Sequence, residues 1–194
     1  MQSYNNVSYM PYTPPCMMMQ NQYMLPQTMP GLLPGQYQTP QIPDNMAGLD
    51  QYTYPRNVPE ALKLIREAVA GETEDRMFYQ YLIENAASEE DKEIIKGIRD
   101  DEISHFNLFR QVYSQLTGQM PPPPQDVTFE KPESYCEGIK RAVRGEQNAV
   151  KKYRRILYAL QDRVQINILT GIITDELRHG ILYNYLYSRN GCRV

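Results

Sequence analysis

The sequence has no membrane-length apolar run, no excess of basic residues and no signal-peptide pattern. Its hydrophobic stretches fall short of the ~20 consecutive residues that a membrane-spanning helix needs. The N-terminus lacks the basic-then-apolar order of a secretory signal. Twenty Lys and Arg residues against 23 Asp and Glu residues leave a net charge of -3, which does not favour binding to nucleic acid. We therefore expect a cytoplasmic protein with no nucleic-acid and no membrane partner.

Cysteine is also scarce. The three cysteines, Cys16, Cys136 and Cys192, form no Cys-x-x-Cys pair and offer no evident disulfide framework. We expect them to be ordinary thiols in a reducing compartment.

Proline is concentrated at the N-terminus. Ten of the fifteen prolines precede residue 61, which excludes long helices there. Residues 1–56 are also rich in Tyr, Met and Gln and carry almost no charge, so we predict a flexible tail before a folded domain at 57–190. Alternatively, the tail attaches the folded domain to a larger structure, such as a spore coat or another intracellular assembly.

The only two histidines lie at equivalent places in an internal repeat. Asp101-Glu102-x-x-His105 recurs 74 residues later as Asp175-Glu176-x-x-His179. With the same offset and no gap, Gly71-Glu72 aligns with Gly145-Glu146, and Tyr79 aligns with Tyr153. The chain is therefore a tandem pair of similar halves.

Apolar residues follow a helical period from Val58 onward. We predict helix A at 58–87, helix B at 88–118, helix C from Pro132 to about 161, and helix D from Asp162 to about Gly191. The linker 119–131 contains four consecutive prolines and can span roughly 40 Å when extended. Since a simple hairpin needs far fewer residues, we predict that this linker crosses the bundle and makes B and C parallel.

Six side chains of metal-ligand type interrupt the apolar stripes: Glu72, Glu102, His105, Glu146, Glu176 and His179. A desolvated carboxylate without a partner costs several kcal/mol or more, and two histidines cannot neutralise four glutamates. In each hairpin the two glutamates lie about fifteen residues, or ~22 Å, from the predicted turn, so they face each other at mid-helix. This arrangement suits two metal ions bridged by carboxylates, and its oxygen-rich donors favour iron or manganese.

Four further residues are candidates for supporting these ligands. Asp101 and Asp175 are expected to accept the free ring N–H of a ligand histidine, or else to be acids that face solvent. Tyr79 and Tyr153 share a helix face with Glu72 and Glu146 and either hydrogen-bond to them or simply pack in the core.

Together these motifs resemble the ferritin-like di-iron carboxylate superfamily, in particular its rubrerythrin and bacterioferritin branches, over residues 58–190. The resemblance implies an all-α, ferritin-like four-helix bundle of two helix hairpins with a long Pro-rich B–C crossover. It also implies that Glu72 and Glu146 are terminal ligands, that Glu102 and Glu176 bridge, and that each metal takes one histidine.

The implied activity is that of an oxidoreductase of the peroxidase or ferroxidase type, which uses two metal ions per bundle, iron or else manganese, to react with O2 or hydrogen peroxide. Typical rubrerythrins add a Cys-x-x-Cys rubredoxin module that this chain lacks, so a peroxidase would need an external electron donor. A homodimer or a higher homo-oligomer is expected. The alternatives are a structural protein of a coat or shell that uses the bundle as a scaffold, and iron storage.

Overall fold

Within the residues that the structure describes, five α-helices form the fold. The computed structural model describes residues 50–123 and 129–193, without the side chains of residues 72 and 73, and no strand occurs in this part of the chain. A 3-10 helix at Asp50–Tyr52 precedes α1 (Val58–Ala70), α2 (Glu72–Asn85), α3 (Glu89–Thr117), α4 (Tyr135–Leu157) and α5 (Arg163–Arg189). The predicted all-α fold is confirmed. Residues 1–49 of the predicted tail lie outside the described residues.

Local capping explains most helix ends. The Ser88 side chain accepts a hydrogen bond from the Asp91 backbone N–H at the start of α3, and Asp162 caps α5 in the same way. Gly118 ends α3 with a φ of 72°, a left-handed conformation that glycine adopts at little cost. Helix α4 begins later than the predicted Pro132, because Ser134 is its cap.

The predicted single helix A is two helices. Gly71 separates α1 from α2, although its φ of -76° and ψ of -14° stay near helical values. Its backbone N–H still donates to the Glu67 carbonyl oxygen, at 3.3 Å. Glycine is about 1 kcal/mol less favourable than alanine inside a helix, which explains a one-residue irregularity at this position. The interruption lies directly before Glu72.

Helices α1 and α2 together run antiparallel to α4. At one end, the Asn57 side chain donates to the Tyr158 carbonyl oxygen at 2.9 Å, so the start of α1 meets the end of α4. Further along, Arg141 pairs with Glu74 at 2.6 Å. These contacts fix the relative direction of the two elements.

Helices α3 and α5 are also antiparallel. Asn190 donates to Asp91 at 2.8 Å, and Gln165 donates to Gln115 at 3.1 Å near the opposite ends of the helices. The short turn between α2 and α3 makes these two antiparallel as well, so α3 and α4 point the same way. The connection between them includes residues 124–128, which lie outside the described residues, and the proline-rich crossover stays a prediction.

Two hydrophobic clusters fill the bundle. One contains Ile65, Phe109 and Leu169 with their neighbours, and the other contains Leu82, Ile98 and Tyr183 with theirs. The first draws on α1 and the second on α2, so the level of Gly71 and Glu72 divides them. None of the described helices combines the length and apolarity required to cross a membrane.

A disulfide links Cys136 to Cys192, with a Cα–Cα distance of 5.5 Å. The prediction of ordinary thiols is therefore wrong for these two residues. They lie 56 residues apart in sequence and meet because α4 and α5 are antiparallel, which brings the start of one beside the end of the other. Cys16 lies outside the described residues.

Candidate metal centre

Carboxylates and imidazoles from three helices converge at mid-bundle. One possible ligand atom from each of Glu102, Glu146, Glu176 and His179 lies within 4.8 Å of the others. Glu146, Glu176 and His179 are buried, as is His105. The sixth predicted ligand, Glu72, begins α2, but its side chain is not among those that the structure describes, so its part in the cluster stays a prediction.

Both histidines aim Nδ1 at the carboxylates. Nδ1 of His105 lies 3.2 Å from Oε1 of Glu176 and 3.5 Å from Oε2 of Glu102. Nδ1 of His179 lies 3.1 Å from Oε1 of Glu102 and 3.9 Å from Oε2 of Glu176. Each of these glutamates therefore directs one oxygen towards each histidine.

The outer nitrogen of each histidine contacts an aspartate of the other hairpin. Nε2 of His105 lies 3.3 Å from Oδ2 of Asp175, and Nε2 of His179 lies 3.0 Å from Oδ2 of Asp101. A carboxylate at Nε2 favours the tautomer that carries its proton there and leaves the Nδ1 lone pair free. The exchange of partners between hairpins was not foreseen from the repeat.

Four of the inward atoms are buried without a hydrogen bond: Nδ1 of both histidines and Oε1 of Glu102 and of Glu176. Buried polar atoms are rarely left unsatisfied, since each costs about 1–3 kcal/mol or more. These four are all ligand-type atoms and lie in one layer. A pair of cations would satisfy all of them, so the residues present fit a metal centre.

The crowded carboxylates raise the pKa values of both histidines. Burial alone lowers the pKa of an imidazole, but Glu102 and Glu176 outweigh it and raise the pKa of His105 to about 10. The same two glutamates, with Asp101, raise the pKa of His179 to about 9. Without a cation, protons on both rings therefore balance part of the carboxylate charge.

The pKa values of Glu146 on α4 and Glu176 on α5 shift in opposite directions. Burial, reinforced by the negative charge of Glu176, raises the pKa of Glu146. Burial would also raise the pKa of Glu176, but the nearby positive charges of the protonated His105 and His179 outweigh it and lower that pKa. The pair thus holds a proton on Glu146 next to an ionised Glu176.

The two predicted tyrosines lie beside this layer. The ring of Tyr153 packs on Phe109 with a centroid distance of 4.7 Å, and that of Tyr79 lies 6.0 Å from Phe78. Burial raises the pKa of both phenols well above the ordinary value. Their described contacts are thus those of core residues, and a hydrogen bond to Glu72 or Glu146 stays a prediction.

A cavity of about 300 Å³ leads to the layer between α2 and α4. Its lining includes Glu102, Glu146, Glu176, Lys152 and Asp75. Asp75 was missed because Ala149 occupies its place in the other half of the repeat. Although Asp75 is exposed as a residue, desolvation of its carboxylate and the charge of Glu102 raise its pKa to about 7.

Comparison with known proteins agrees with this geometry. A family model described as Rubrerythrin matches residues 63–187, a range that contains all six predicted ligands. Uncharacterized protein YhjR of Bacillus subtilis (strain 168) is 31% identical over 137 residues, which cover 69% of this chain and 93% of that protein. No solved structure matches the chain.

Proposed function

The chain belongs to the rubrerythrin family, and on that premise we propose that it is a dinuclear metal protein that reacts with O2 or hydrogen peroxide, as an oxidoreductase of the peroxidase or ferroxidase type. The observation that carries the proposal is the buried layer in which two imidazole nitrogens and two carboxylate oxygens have no hydrogen bond. Such a layer is costly by itself and is stabilised by cations.

The contacts support a specific assignment of ligands. Glu102 and Glu176 would bridge the two ions, because each directs one oxygen towards His105 and the other towards His179. Each histidine would bind one ion through Nδ1. Glu146, and Glu72 by analogy with it in the repeat, would be terminal ligands.

Iron is the metal that the family membership favours, and manganese accepts the same ligands. Carboxylate oxygens and imidazole nitrogens suit both ions, and no thiolate lies among the residues of the cluster. When bound, such a pair of ions supplies the two electrons that reduce hydrogen peroxide to water.

The surrounding residues would control access and protons. The 300 Å³ cavity is large enough for O2 or peroxide, and the buried ring of Tyr79 and the partly buried ring of Tyr153 limit the water beside the carboxylates. Reduction of peroxide consumes two protons. The Asp75 carboxyl, with a pKa of about 7, can deliver one at the cavity and recover it from solvent.

Turnover as a peroxidase would require electrons from another protein or a small reductant. The chain has no Cys-x-x-Cys motif from which a rubredoxin-like site could be built. We therefore propose that an external donor supplies the electrons. We also propose that the protein forms a homo-oligomer and that its tail binds a larger assembly.

Metal analysis and a peroxide assay on one preparation test the proposal. We expect two metal ions per chain and consumption of hydrogen peroxide, both lost in Glu102→Ala and His179→Ala. Glu93→Ala is a matched control, because this exposed α3 residue pairs only with Lys96 in the described contacts. Full metal content and activity in the ligand variants would refute the proposal. Metal uptake far beyond two ions would instead indicate storage, and assembly without metal would indicate a scaffold.

A further inference from the structure

One arginine joins the two aspartates that contact the histidines. Nη2 of Arg178 lies 2.5 Å from Oδ2 of Asp101 and 3.3 Å from Oδ1 of Asp175. Asp101 comes from α3, whereas Asp175 and Arg178 come from α5. We call this group of three residues the arginine bridge.

The arginine bridge completes a continuous chain of contacts between the histidines. Oδ2 of Asp101 contacts both Arg178 and Nε2 of His179, and Asp175 contacts Arg178 and Nε2 of His105. Each outer carboxylate thus contacts the same guanidinium.

Arginine suits this position for two reasons. Its planar guanidinium offers several donors in a fixed geometry, so it can serve two carboxylates at once. Its charge also offsets the repulsion between two aspartates that approach each other from facing helices.

The repeat supplies this arginine only once. Ser104 occupies the equivalent place 74 residues earlier, and its hydroxyl donates to the Asp100 carbonyl oxygen on its own helix at 3.1 Å. The first half therefore has no counterpart of Arg178, and a single residue serves both halves. This asymmetry separates Arg178 from the repeated ligands.

We propose that Arg178 is a positioning residue that holds Asp101 and Asp175 against Nε2 of the two histidines and thereby keeps both Nδ1 atoms directed at the metal layer. The metal-binding consequence rests on the proposed function. The orientation of the rings does not, because it rests only on the contacts among Arg178, the two aspartates and Nε2 of the histidines.

The test compares three variants of the full chain. Arg178→Met removes the guanidinium, and Arg178→Lys keeps the charge without the planar fork. Arg189→Met is the matched control, because Arg189 also reaches from α5 to carboxylates on α3, at 2.6 Å to Glu90 and 3.1 Å to Asp91. It lies about 16 Å further along the helix than Arg178.

The first measurement is NMR of the imidazole N–H protons in metal-free protein, where only two histidines contribute. We expect two slowly exchanging Nε2–H signals in the unmodified protein and in Arg189→Met, their loss in Arg178→Met, and partial retention in Arg178→Lys. Wild-type exchange in Arg178→Met, or equal losses in both methionine variants, would overturn the proposal.

The second measurement is anaerobic titration with Fe(II) against a competing chelator. Residues that orient a ligand histidine typically contribute 10–100-fold in metal affinity, so Arg178→Met should weaken Fe(II) binding by about tenfold or more, with Arg178→Lys intermediate and Arg189→Met unchanged. Unchanged affinity in Arg178→Met would overturn the metal-binding consequence. Absence of Fe(II) binding by the unmodified protein would refute the proposed function, while the NMR signals would still decide the role of Arg178.

Discussion

Metal binding by this protein should strengthen steeply as the pH rises from about 7 to 9. In the metal-free state His105 has a pKa of about 10 and His179 a pKa of about 9, so both rings are protonated at neutral pH. Each must release a proton before Nδ1 can bind an ion. Glu146, whose pKa is raised mainly by burial, would add a third proton when it becomes a ligand.

The size of this effect follows from the two imidazoles. At pH 7 the rings of His105 and His179 lie about three and two pH units below their pKa values. At 1.36 kcal/mol per unit, deprotonation opposes loading of the pair by roughly 7 kcal/mol. The apparent binding constant for both ions should then rise by roughly 100-fold per pH unit, or tenfold for each proton released.

Calorimetric titration with Mn(II) measures both quantities. Metal-free protein would be titrated at about pH 7, 7.5 and 8 in two buffers that differ in their enthalpy of protonation, which gives the number of protons released. We expect two to three protons per chain, and the same number in Arg189→Met, which leaves the layer intact. Release of less than one proton, or an affinity that does not change with pH, would refute this account of the charges.

Three further predictions concern stability. Gly138→Ala should lower the free energy of unfolding by about 1–3 kcal/mol, because the new Cβ would lie 2.7 Å from Cδ2 of Leu82. Gly145→Ala, whose Cβ would meet nothing within 4 Å, should raise it by roughly 0.5–1 kcal/mol, and urea unfolding compares the two. Cys192→Ser removes the disulfide, which links residues 56 apart in sequence, and should lower the free energy of unfolding by about 2–4 kcal/mol. If the variant were still less stable than the unmodified protein when both are in reductant, this explanation would be wrong. Metal-free protein should lose stability as pH rises from about 6.5 towards 10, because both histidines keep in the folded state protons that they release on unfolding. Equal thermal midpoints at pH 6.5 and 9 would contradict that.

Much of the fold and of the candidate site was predictable because two independent patterns coincide. The helical period located the helices, and the 74-residue offset showed which polar residues on their apolar faces belong together. A buried residue such as Glu176 has few physical explanations other than a cation, so its position in an apolar stripe was informative. The level at which α3, α4 and α5 bring their ligands together then followed from helix length alone.

The remaining features depend on contacts that spacing does not encode. The disulfide requires the register of α4 on α5. The partner exchange between histidines and aspartates depends on how the two hairpins are placed beside each other. Asp101 is 4 residues from His105 but contacts His179, which is 78 residues away. Asp75 was missed because an argument from repetition discards a residue that occurs in only one half. Arg178 occupies one of the two variable places of the second Asp-Glu-x-x-His motif, and its contact with Asp101 on α3 does not follow from that spacing.

The exchange of partners between the hairpins has one more consequence. Separated from each other, each hairpin would keep an imidazole without its carboxylate and a carboxylate without its imidazole. The contact that orients each histidine thus joins two segments that are distant in the chain. Each half of the repeat therefore lacks one of the contacts that orient its own histidine, and the described arrangement of both histidines requires the two halves together.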